Sequence, residues 1–441
     1  MRLVANLNSS RLGSLIRVHP YSSALLALLI GAKATLMVLS PLSEDFLTTG
    51  VLVAEIDAMT ILKGDGAYVL WMLLVRAMYC AWRIVPIAHP LVESMTGFWY
   101  FVPSLSSNLL IFMLKLPLLI FDIMCGYVVS RLCLSHTASR HLAYVAFMLW
   151  MVNPYLTIVT EMFGAYDVIV VFFLLVSIFL FDRKKVCLSA VLLAVSAAFK
   201  PYSLLLFPAF TLSLVRGGRA RQAAKFTGVL ALLGLVGPVL FIASGATPQA
   251  IADLFSYYFV KGGTFFQSFV LRSETSEFLK MAMSLTFTLL TVCLAFMYGL
   301  WKISSENLLD SSFALCLTFL VFSFWHPQML IWTIPFITLD YCINRTSKIY
   351  PTVFFLTAFA FEFVYFSFYF TSHGHSFMFI PNYTTQISEL SRSARSLYES
   401  NSALIIANIA RSVFSGVCIY YLVRIFLRNI DLSRINAWRK I

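Results

Sequence analysis

The residues most able to do chemistry are a few acids and cations that interrupt a very apolar chain. Asp45, Glu161 and Asp167 supply carboxylates, Lys200 supplies an ammonium group, and His326 supplies a titratable ring. Each falls at the edge of an apolar run, and ionisable residues at membrane depth are costly enough to indicate function. Together they predict a site that handles a polar substrate next to lipid.

Each of these residues also has a simpler explanation when it is taken alone. Asp45 and Asp167 are placed to cap the N-terminus of a helix, Lys200 can snorkel to the membrane surface, and His326 can be a structural histidine. The Glu55-Ile56-Asp57 triplet fits the solvated side of an interfacial helix. The functional prediction therefore depends on these residues falling at one face of the membrane.

The composition indicates which elements position such a site. The chain has 441 residues, of which 60% are hydrophobic and 12% charged, whereas globular domains carry about 25% charged residues. Several apolar runs reach the roughly 20 residues that cross a bilayer as a helix. We predict an all-α, polytopic membrane protein with about 12 transmembrane helices (roughly 10–13), forming one integral-membrane domain over residues 1–441. The predicted spans are 21–40, 105–130, 142–158, 167–181, 186–200, 202–215, 226–244, 279–301, 311–325, 327–343, 350–370 and 403–423.

The basic residues of the connections predict the orientation. Lys and Arg collect in alternate connections, as in 131–140, 183–185 and 216–225, and in the C-terminal tail 424–440. The positive-inside rule makes this side cytoplasmic, with both termini on it. The net charge of +12 is then explained by topology, and nucleic acid is excluded as a partner because no basic cluster lies on a large soluble face. The eight Cys residues lack metal-ligand spacing and are predicted mainly to be buried packing residues.

Three long connections fall on the non-cytoplasmic side, at 41–104, 245–278 and 371–402. Connections of this length are usually functional. In the first, residues 51–62 and 68–85 have apolar side chains at helical spacing, but they are too short or too interrupted to span a membrane. We expect them to be amphipathic helices in the interface, beside a catalytic carboxylate of the same loop.

Lys115 and Asp122 lie seven positions apart in the second predicted span. This spacing puts both side chains on one face of the helix. We expect a buried polar pair that holds helices together.

Four strings of polar and aromatic residues follow one another along the chain. The first lies within the second predicted span, and the other three lie at the predicted outer ends of spans. They are Lys115-Leu-Pro-Leu-Leu-Ile-Phe-Asp122, Asn153-Pro154 leading to Phe163-Gly-Ala-Tyr-Asp167, Ala198-Phe-Lys200-Pro-Tyr202, and His326-Pro-Gln-Met-Leu-Ile-Trp332-Thr-Ile-Pro335. In order and sidedness they resemble integral-membrane glycosyltransferases of the C superfold. Within that superfold the chain resembles mannosyltransferases that use polyprenyl- or dolichyl-phosphate mannose, and more loosely the catalytic subunit of GPI mannosyltransferase I.

The resemblance implies an inverting sugar transfer at the non-cytoplasmic face. The donor would be a polyprenyl- or dolichyl-phosphate sugar, with mannose first, and the acceptor would be a glycan or glycolipid. Asp45, or else Asp57 with Glu55, would accept the hydroxyl proton as general base, which is worth about 10²–10⁴ in rate. No cofactor is required, although the Glu55 and Asp57 carboxylates are compatible with a divalent metal such as Mg²⁺ or Mn²⁺.

The same resemblance assigns the donor-binding residues. Lys200, His326 and Arg272 would hold the leaving phosphate, since its bond breaks with a build-up of negative charge. Tyr166 would stack on the sugar next to Asp167. Membrane lipids surround the protein, and a small accessory membrane subunit is a further expected partner. The membrane would be an archaeal or bacterial plasma membrane or the endoplasmic reticulum.

Two other functions compete with sugar transfer. A transporter or lipid flippase would use the charged cluster as a translocation site, although internal repeats typical of transporters are not seen. A non-catalytic scaffold subunit of a membrane glycosylation complex would bind its partner even without the outer carboxylates.

Overall fold

The computed structural model describes residues 20–39, 69–84, 92–95, 98–101, 105–243, 308–322, 327–372 and 401–429. The helices are α1 (Pro20–Leu39), α2 (Val69–Arg83), α3 (Leu105–Thr137), α4 (Arg140–Met151), α5 (Pro154–Leu156), α6 (Asp167–Asp182), α7 (Val186–Phe199), α8 (Phe207–Arg216), α9 (Ala220–Ala243), α10 (Leu308–Phe322), α11 (Pro327–Leu330), α12 (Ile334–Ile343), α13 (Ile349–Ser372) and α14 (Asn401–Asn429). A π-helical turn follows α5 at Thr157–Met162, and a 3₁₀ turn precedes α8 at Pro201–Leu206.

Helices stand at every predicted span that the described residues include, and these helices make the chain an integral membrane protein of helical type. Three segments of the described residues are long and apolar enough to cross a membrane on their own: Asn108–Thr137, Arg140–Met162 and Ile409–Asn429. The span predicted at 279–301 lies outside the described residues. The count of about 12 crossings stays a prediction, as does the position of the termini.

The all-α prediction needs one correction in the first long connection. Val92–Met95 (β1) and Phe98–Phe101 (β2) form an antiparallel hairpin in which Met95 faces Phe98 and Val92 faces Phe101. Aromatic and β-branched residues on either side of a Thr-Gly pair favour such a hairpin. The helix predicted over 68–85 is present as α2, whereas residues 51–62 lie outside the described part.

The core contains α3, α4, α6 and α7: α3 packs against α4, α6 packs against α7, and α3 packs against α6. The helices α3 and α6 run parallel, since Cys125 contacts Val168 near one end and His136 contacts Asp182 near the other. Gly126 lets α3 approach α4 closely, because a Cβ there would meet the Trp150 ring at 3.0 Å. Serine hydroxyls join α6 to α7: Ser177 Oγ donates to the Ser189 carbonyl, and Ser196 Oγ donates to the Val170 carbonyl, each at 2.8 Å. Small polar residues of this kind hold helices together where lipid surrounds them.

The helices at the predicted spans 186–200 and 202–215 are separated by a break at Lys200. Pro201 follows directly, and a residue before proline is disfavoured in the α region. Lys200 accordingly adopts an extended conformation (φ −149°, ψ 126°). The break turns Lys200 out of the helical register and into the core, where it is only 4% exposed.

Candidate functional site: two buried charge clusters

Two clusters of charged residues lie in the interior at a similar depth. The α6 helix has Asp167 at one end, and at its other end Asp182 is bonded to His136 of α3 at 3.2 Å. A rise of 1.5 Å per residue places both Asp167 and Asp122 about 21–23 Å from that pair. The His136 and Asp182 side chains are 31% and 26% exposed, and the hydrocarbon core of a bilayer is about 30 Å thick. Both clusters therefore lie at a similar distance along the bundle from the His136–Asp182 pair, a distance smaller than the thickness of the hydrocarbon core.

The first cluster is the Lys33 network, which consists of Lys33, Lys115, Asp122, Trp150 and Glu161. The Lys33 ammonium of α1 donates to Asp122 Oδ2 at 2.7 Å and to Glu161 Oε1 at 3.1 Å. Trp150 Nε1 donates to Asp122 Oδ1 at 2.9 Å. All five side chains are buried. One ammonium thus joins α1, α3 and the π-helical turn.

Within this network, Lys115 donates hydrogen bonds to carbonyl groups at the C-terminal ends of two helical segments. Its ammonium donates to the Met162 carbonyl at 2.7 Å and to the Met37 carbonyl at 3.3 Å. Met162 ends the π-helical turn, and Met37 lies in the last turn of α1. The last carbonyls of a helix lack intrahelical partners and carry partial negative charge. The buried Lys115 side chain supplies hydrogen bonds to these carbonyls. The predicted burial of Lys115 and Asp122 is present, and each side chain binds to other helices.

The π-helical turn decides where Glu161 points. Phe163 N–H bonds to the Ile158 carbonyl, five residues earlier, at 2.9 Å. The wider turn contains one residue more than an α-turn would, and such turns occur frequently at functional sites. Gly164 ends it with φ 79°, a conformation that favours glycine. The wider turn places Glu161 against the Lys33 ammonium.

The second cluster is the Asp167 site, which consists of Asp167, Lys200, Trp332, Tyr166 and Trp71. The Lys200 ammonium lies 2.6 Å from Asp167 Oδ2, and Trp332 Nε1 donates to Asp167 Oδ1 at 3.0 Å. The same ammonium lies 4.3 Å from the centre of the Tyr166 ring. Tyr166 stacks on Trp71 of α2 with ring centres 4.7 Å apart. The carboxylate and the ammonium neutralise each other inside an aromatic enclosure.

A third group of charges ties the C-terminal helix to the opposite end of the bundle. The Arg428 guanidinium of α14 binds Asp340 of α12 at 2.6 Å and also binds Asp310 of α10. Asn429 Nδ2 donates to Asp310 Oδ2 at 2.9 Å, and Asn344 Nδ2 donates to Asp340 Oδ1 at 2.8 Å. This Asp340 group connects three helices by charge and not by apolar packing alone.

The structure brings together three of the candidate site residues. Tyr166, Asp167 and Lys200 are in direct contact, as described above. The other candidates lie outside the described residues: Asp45, Glu55, Asp57, Arg272 and His326. The metal-compatible carboxylates are among them. Across the described ranges, no group of three or more His, Cys, Asp or Glu side chains is arranged to hold a metal ion.

Sequence reasoning left Lys33 and Trp332 without a role at these sites. Lys33 binds acids that are 89 and 128 positions away, and Trp332 binds an acid 165 positions away. A signal was present for Lys33, because a single lysine inside an apolar span is costly unless it has a partner. For Trp332 the only signal was its presence in one of the four strings.

These features define a class of protein: a multi-helix membrane protein whose interior charges are neutralised in pairs between helices. Residues 84–271 match the family described as GPI transamidase subunit PIG-U. The matched segment is somewhat under half of the chain, and it contains α3 to α9 and both clusters' carboxylates. No curated protein matches the chain.

The family match corrects the expected activity. Sugar transfer from a polyprenyl- or dolichyl-phosphate donor to a glycan or glycolipid is wrong for this chain, and the transporter or flippase alternative is wrong as well. The matched family consists of subunits of GPI transamidase. A transamidase is a protein-processing complex and not a sugar transferase. The structure supplies a physical reason: Lys200, which was assigned to a leaving phosphate, has the Asp167 carboxylate at 2.6 Å.

Proposed function

We propose that the chain is a membrane subunit of a GPI transamidase, with a structural and partner-binding role. The match of residues 84–271 to the family of GPI transamidase subunit PIG-U carries this proposal. Its partners are the other subunits of that complex, which agrees with the accessory membrane subunit expected from the sequence. Of the membranes considered, the endoplasmic reticulum membrane fits this role, because proteins that enter the secretory pathway are processed there.

The charge balance of the interior supports a structural role. The Lys33 network contains two lysines and two carboxylates, and the Asp167 site contains one of each. A group that binds and releases a reactant needs a coordination position that the protein itself does not fill. At the Asp167 site, Lys200 and Trp332 occupy both carboxylate oxygens. In the Lys33 network, Lys33 binds one oxygen each of Asp122 and Glu161, and Glu161 Oε2 has no hydrogen-bond partner among the described residues. Buried ion pairs of this kind fix how helices pack more than they add stability.

The clusters also connect the matched segment to the rest of the chain. Lys33 precedes residues 84–271 and Trp332 follows them, yet they bind Asp122 and Asp167 inside the segment. The flanking helices are therefore anchored on the segment that matches the family. We infer that the flanking helices and the matched segment act together when the chain joins its partners.

Affinity purification of the tagged full chain from its own membranes, in a mild detergent, tests the proposal. The other GPI transamidase subunits should co-purify, and depletion of the chain should reduce GPI-anchored proteins at the cell surface. The Lys33→Met variant should co-purify less of the other subunits, and it should restore less GPI anchoring to depleted cells than the wild-type chain does. The reason is that it leaves two carboxylates buried without their cation. The matched control is Lys348→Met, since Lys348 is exposed. Purification of the chain without these subunits, together with unchanged GPI anchoring after depletion, would refute the proposal.

A further inference from the structure

Two turns at the His136 end of the bundle lie side by side. The first joins α6 to α7 at residues 183–185, and the second joins α8 to α9 at residues 217–219. The Phe181 ring, just before the first turn, packs at 5.1 Å from the Phe210 ring of α8 and 6.3 Å from the Phe226 ring of α9. Phe210 and Phe226 lie on the two helices that the second turn joins, so these contacts pack both helices against the end of α6 that precedes the first turn.

The two turns have the same backbone form. Lys185 N–H bonds to the Leu180 carbonyl and Arg219 N–H bonds to the Leu214 carbonyl, each at 2.9 Å. A residue in the left-handed region completes each motif, Lys184 with φ 60° and Gly218 with φ 68°. Glycine is the favoured residue at such a helix end. The first turn therefore carries a lysine where glycine would be less strained.

Cations dominate the surface that these turns form. The sequence from residue 183 to residue 252 contains no Asp or Glu. We call the following residues the basic surface: Arg183, Lys184, Lys185, Arg216, Arg219, Arg221 and Lys225. All but the half-buried Arg219 are exposed. The nearest acid in the sequence, Asp182, is bonded to His136.

Charge pairing distinguishes this surface from the cations of α14. Arg424 and Arg428 of α14 lie within ion-pair distance of Asp340. In the part of the chain that the structure describes, Lys184, Lys185 and Arg221 form no ion pair with a carboxylate. The positive-inside rule accounts for an excess of Lys and Arg at this end of the bundle. It does not require that these cations gather on adjacent turns that carry no acidic residues.

The surroundings of the basic surface indicate which anion it meets. Val215 and Leu188, which adjoin the two turns, are 52% and 42% exposed. Exposed apolar side chains next to cations mark the boundary between hydrocarbon and headgroups, where long basic side chains keep their stems in lipid and their charges outside. We propose that the basic surface binds the anionic headgroups of phospholipids. An acidic protein partner would fit the charge but not the adjoining apolar side chains.

The test is competition between two lipids for the full-length chain in detergent. Phosphatidylserine and phosphatidylcholine with identical acyl chains are added in equal amounts, and bound lipids are counted by native mass spectrometry. Phosphatidylserine should be in excess on the wild-type chain. The combined Lys184→Gln, Lys185→Gln and Arg221→Gln variant should lower the ratio of the two bound lipids by about fivefold or more, since each cation near an anionic headgroup contributes about fivefold. Lys184→Arg, Lys185→Arg and Arg221→Lys together should keep the excess.

A second triple variant is the matched control for net charge. Arg140→Gln, Arg345→Gln and Lys348→Gln remove three exposed cations from two other turns, and the lipid ratio should stay within about twofold of the wild type. Equal binding of the two lipids to the wild-type chain would overturn the proposal, as would an equal loss in the control. Selective binding of poly-glutamate without any preference for phosphatidylserine would also overturn it and assign the surface to a protein partner.

Discussion

The pair of Asp167 and Lys200 gives the sharpest quantitative prediction. Asp167→Asn removes the negative charge that lies 2.6 Å from the Lys200 ammonium, and that ammonium is buried. Removal of one partner of a buried ion pair costs about 3–5 kcal/mol, because the other charge remains without compensation. The Tyr166 ring at 4.3 Å retains a cation–π attraction of about 0.5–2 kcal/mol. We therefore expect Asp167→Asn to lower the free energy of unfolding by about 3 kcal/mol, the lower end of that 3–5 kcal/mol range.

The double variant separates the charge effect from packing. Asp167→Asn combined with Lys200→Met leaves no charge at this position, and replacement of a buried pair by neutral groups is often close to neutral in free energy. We expect the double variant to lose about 1–2 kcal/mol, which is less than either single variant. The coupling free energy should then exceed about 3 kcal/mol, at the upper end of the range measured for contacting residues or above it.

The assay is equilibrium unfolding of the full chain in mixed micelles, with tryptophan fluorescence as the signal. A loss of 3 kcal/mol raises the unfolded fraction by a factor on the order of a hundred. Lys348→Met, at an exposed position, should change stability by less than about 0.5 kcal/mol. If the double variant loses as much as the two single variants summed, within about 0.5 kcal/mol, the pair is not coupled and the reasoning is wrong.

Three further predictions concern other contacts of the two clusters. Lys33→Met should destabilise the chain more than Lys200→Met, because it strands two carboxylates; equal unfolding midpoints would contradict this. Gly126→Ala should cost about 1–3 kcal/mol by overpacking, since the new Cβ would meet the Trp150 ring at 3.0 Å. Gly416→Ala, with nothing within 4 Å, should be neutral or stabilising in the same unfolding assay. Trp332→Phe removes a hydrogen bond to a carboxylate and should cost about 1.5–3 kcal/mol, and an unchanged midpoint would exclude a role for that bond.

The helices were predictable because their signal is local. Apolar runs and Pro201 predicted α6, α7 and the break between α7 and α8, and the observed bounds of α6 differ from the prediction by one residue. The β-hairpin was missed because only interfacial helices were predicted in the first long connection. The Thr-Gly pair at its turn carries the signal that would have identified it.

The clusters were predictable only in part because their contacts are distant in sequence. Asp167 and Lys200 were expected at one membrane face since both lie at span ends. Lys33 lies inside a span, and its partners belong to helices that are 89 and 128 positions further on. Periodicity within one helix cannot indicate which other helix it meets.

The activity could not be derived from the same strings that indicated the fold class. The resemblance pointed to a polytopic membrane family, whereas the family match is to a transamidase subunit and not to a sugar transferase. One fold can serve different functions, and function has to be argued from the site. Here the assignment of Lys200 to a leaving phosphate was the weak point. A cation that is already paired with a carboxylate, as Lys200 is with Asp167, is not available to a phosphate.

The distance in sequence between Lys33 and its partners has a consequence for biosynthesis. Asp122 is made 89 residues after Lys33, which at about 5–20 residues per second takes roughly 4–18 s. During that time α1 enters the membrane with a lysine that costs up to about 2.5–3.5 kcal/mol at a helix centre. We therefore expect the first predicted span to insert weakly on its own and to be retained in the membrane once α3 has been made. In an insertion assay that reads glycosylation of a fused reporter, truncation before α3 should lower insertion of α1, and Lys33→Leu should restore it.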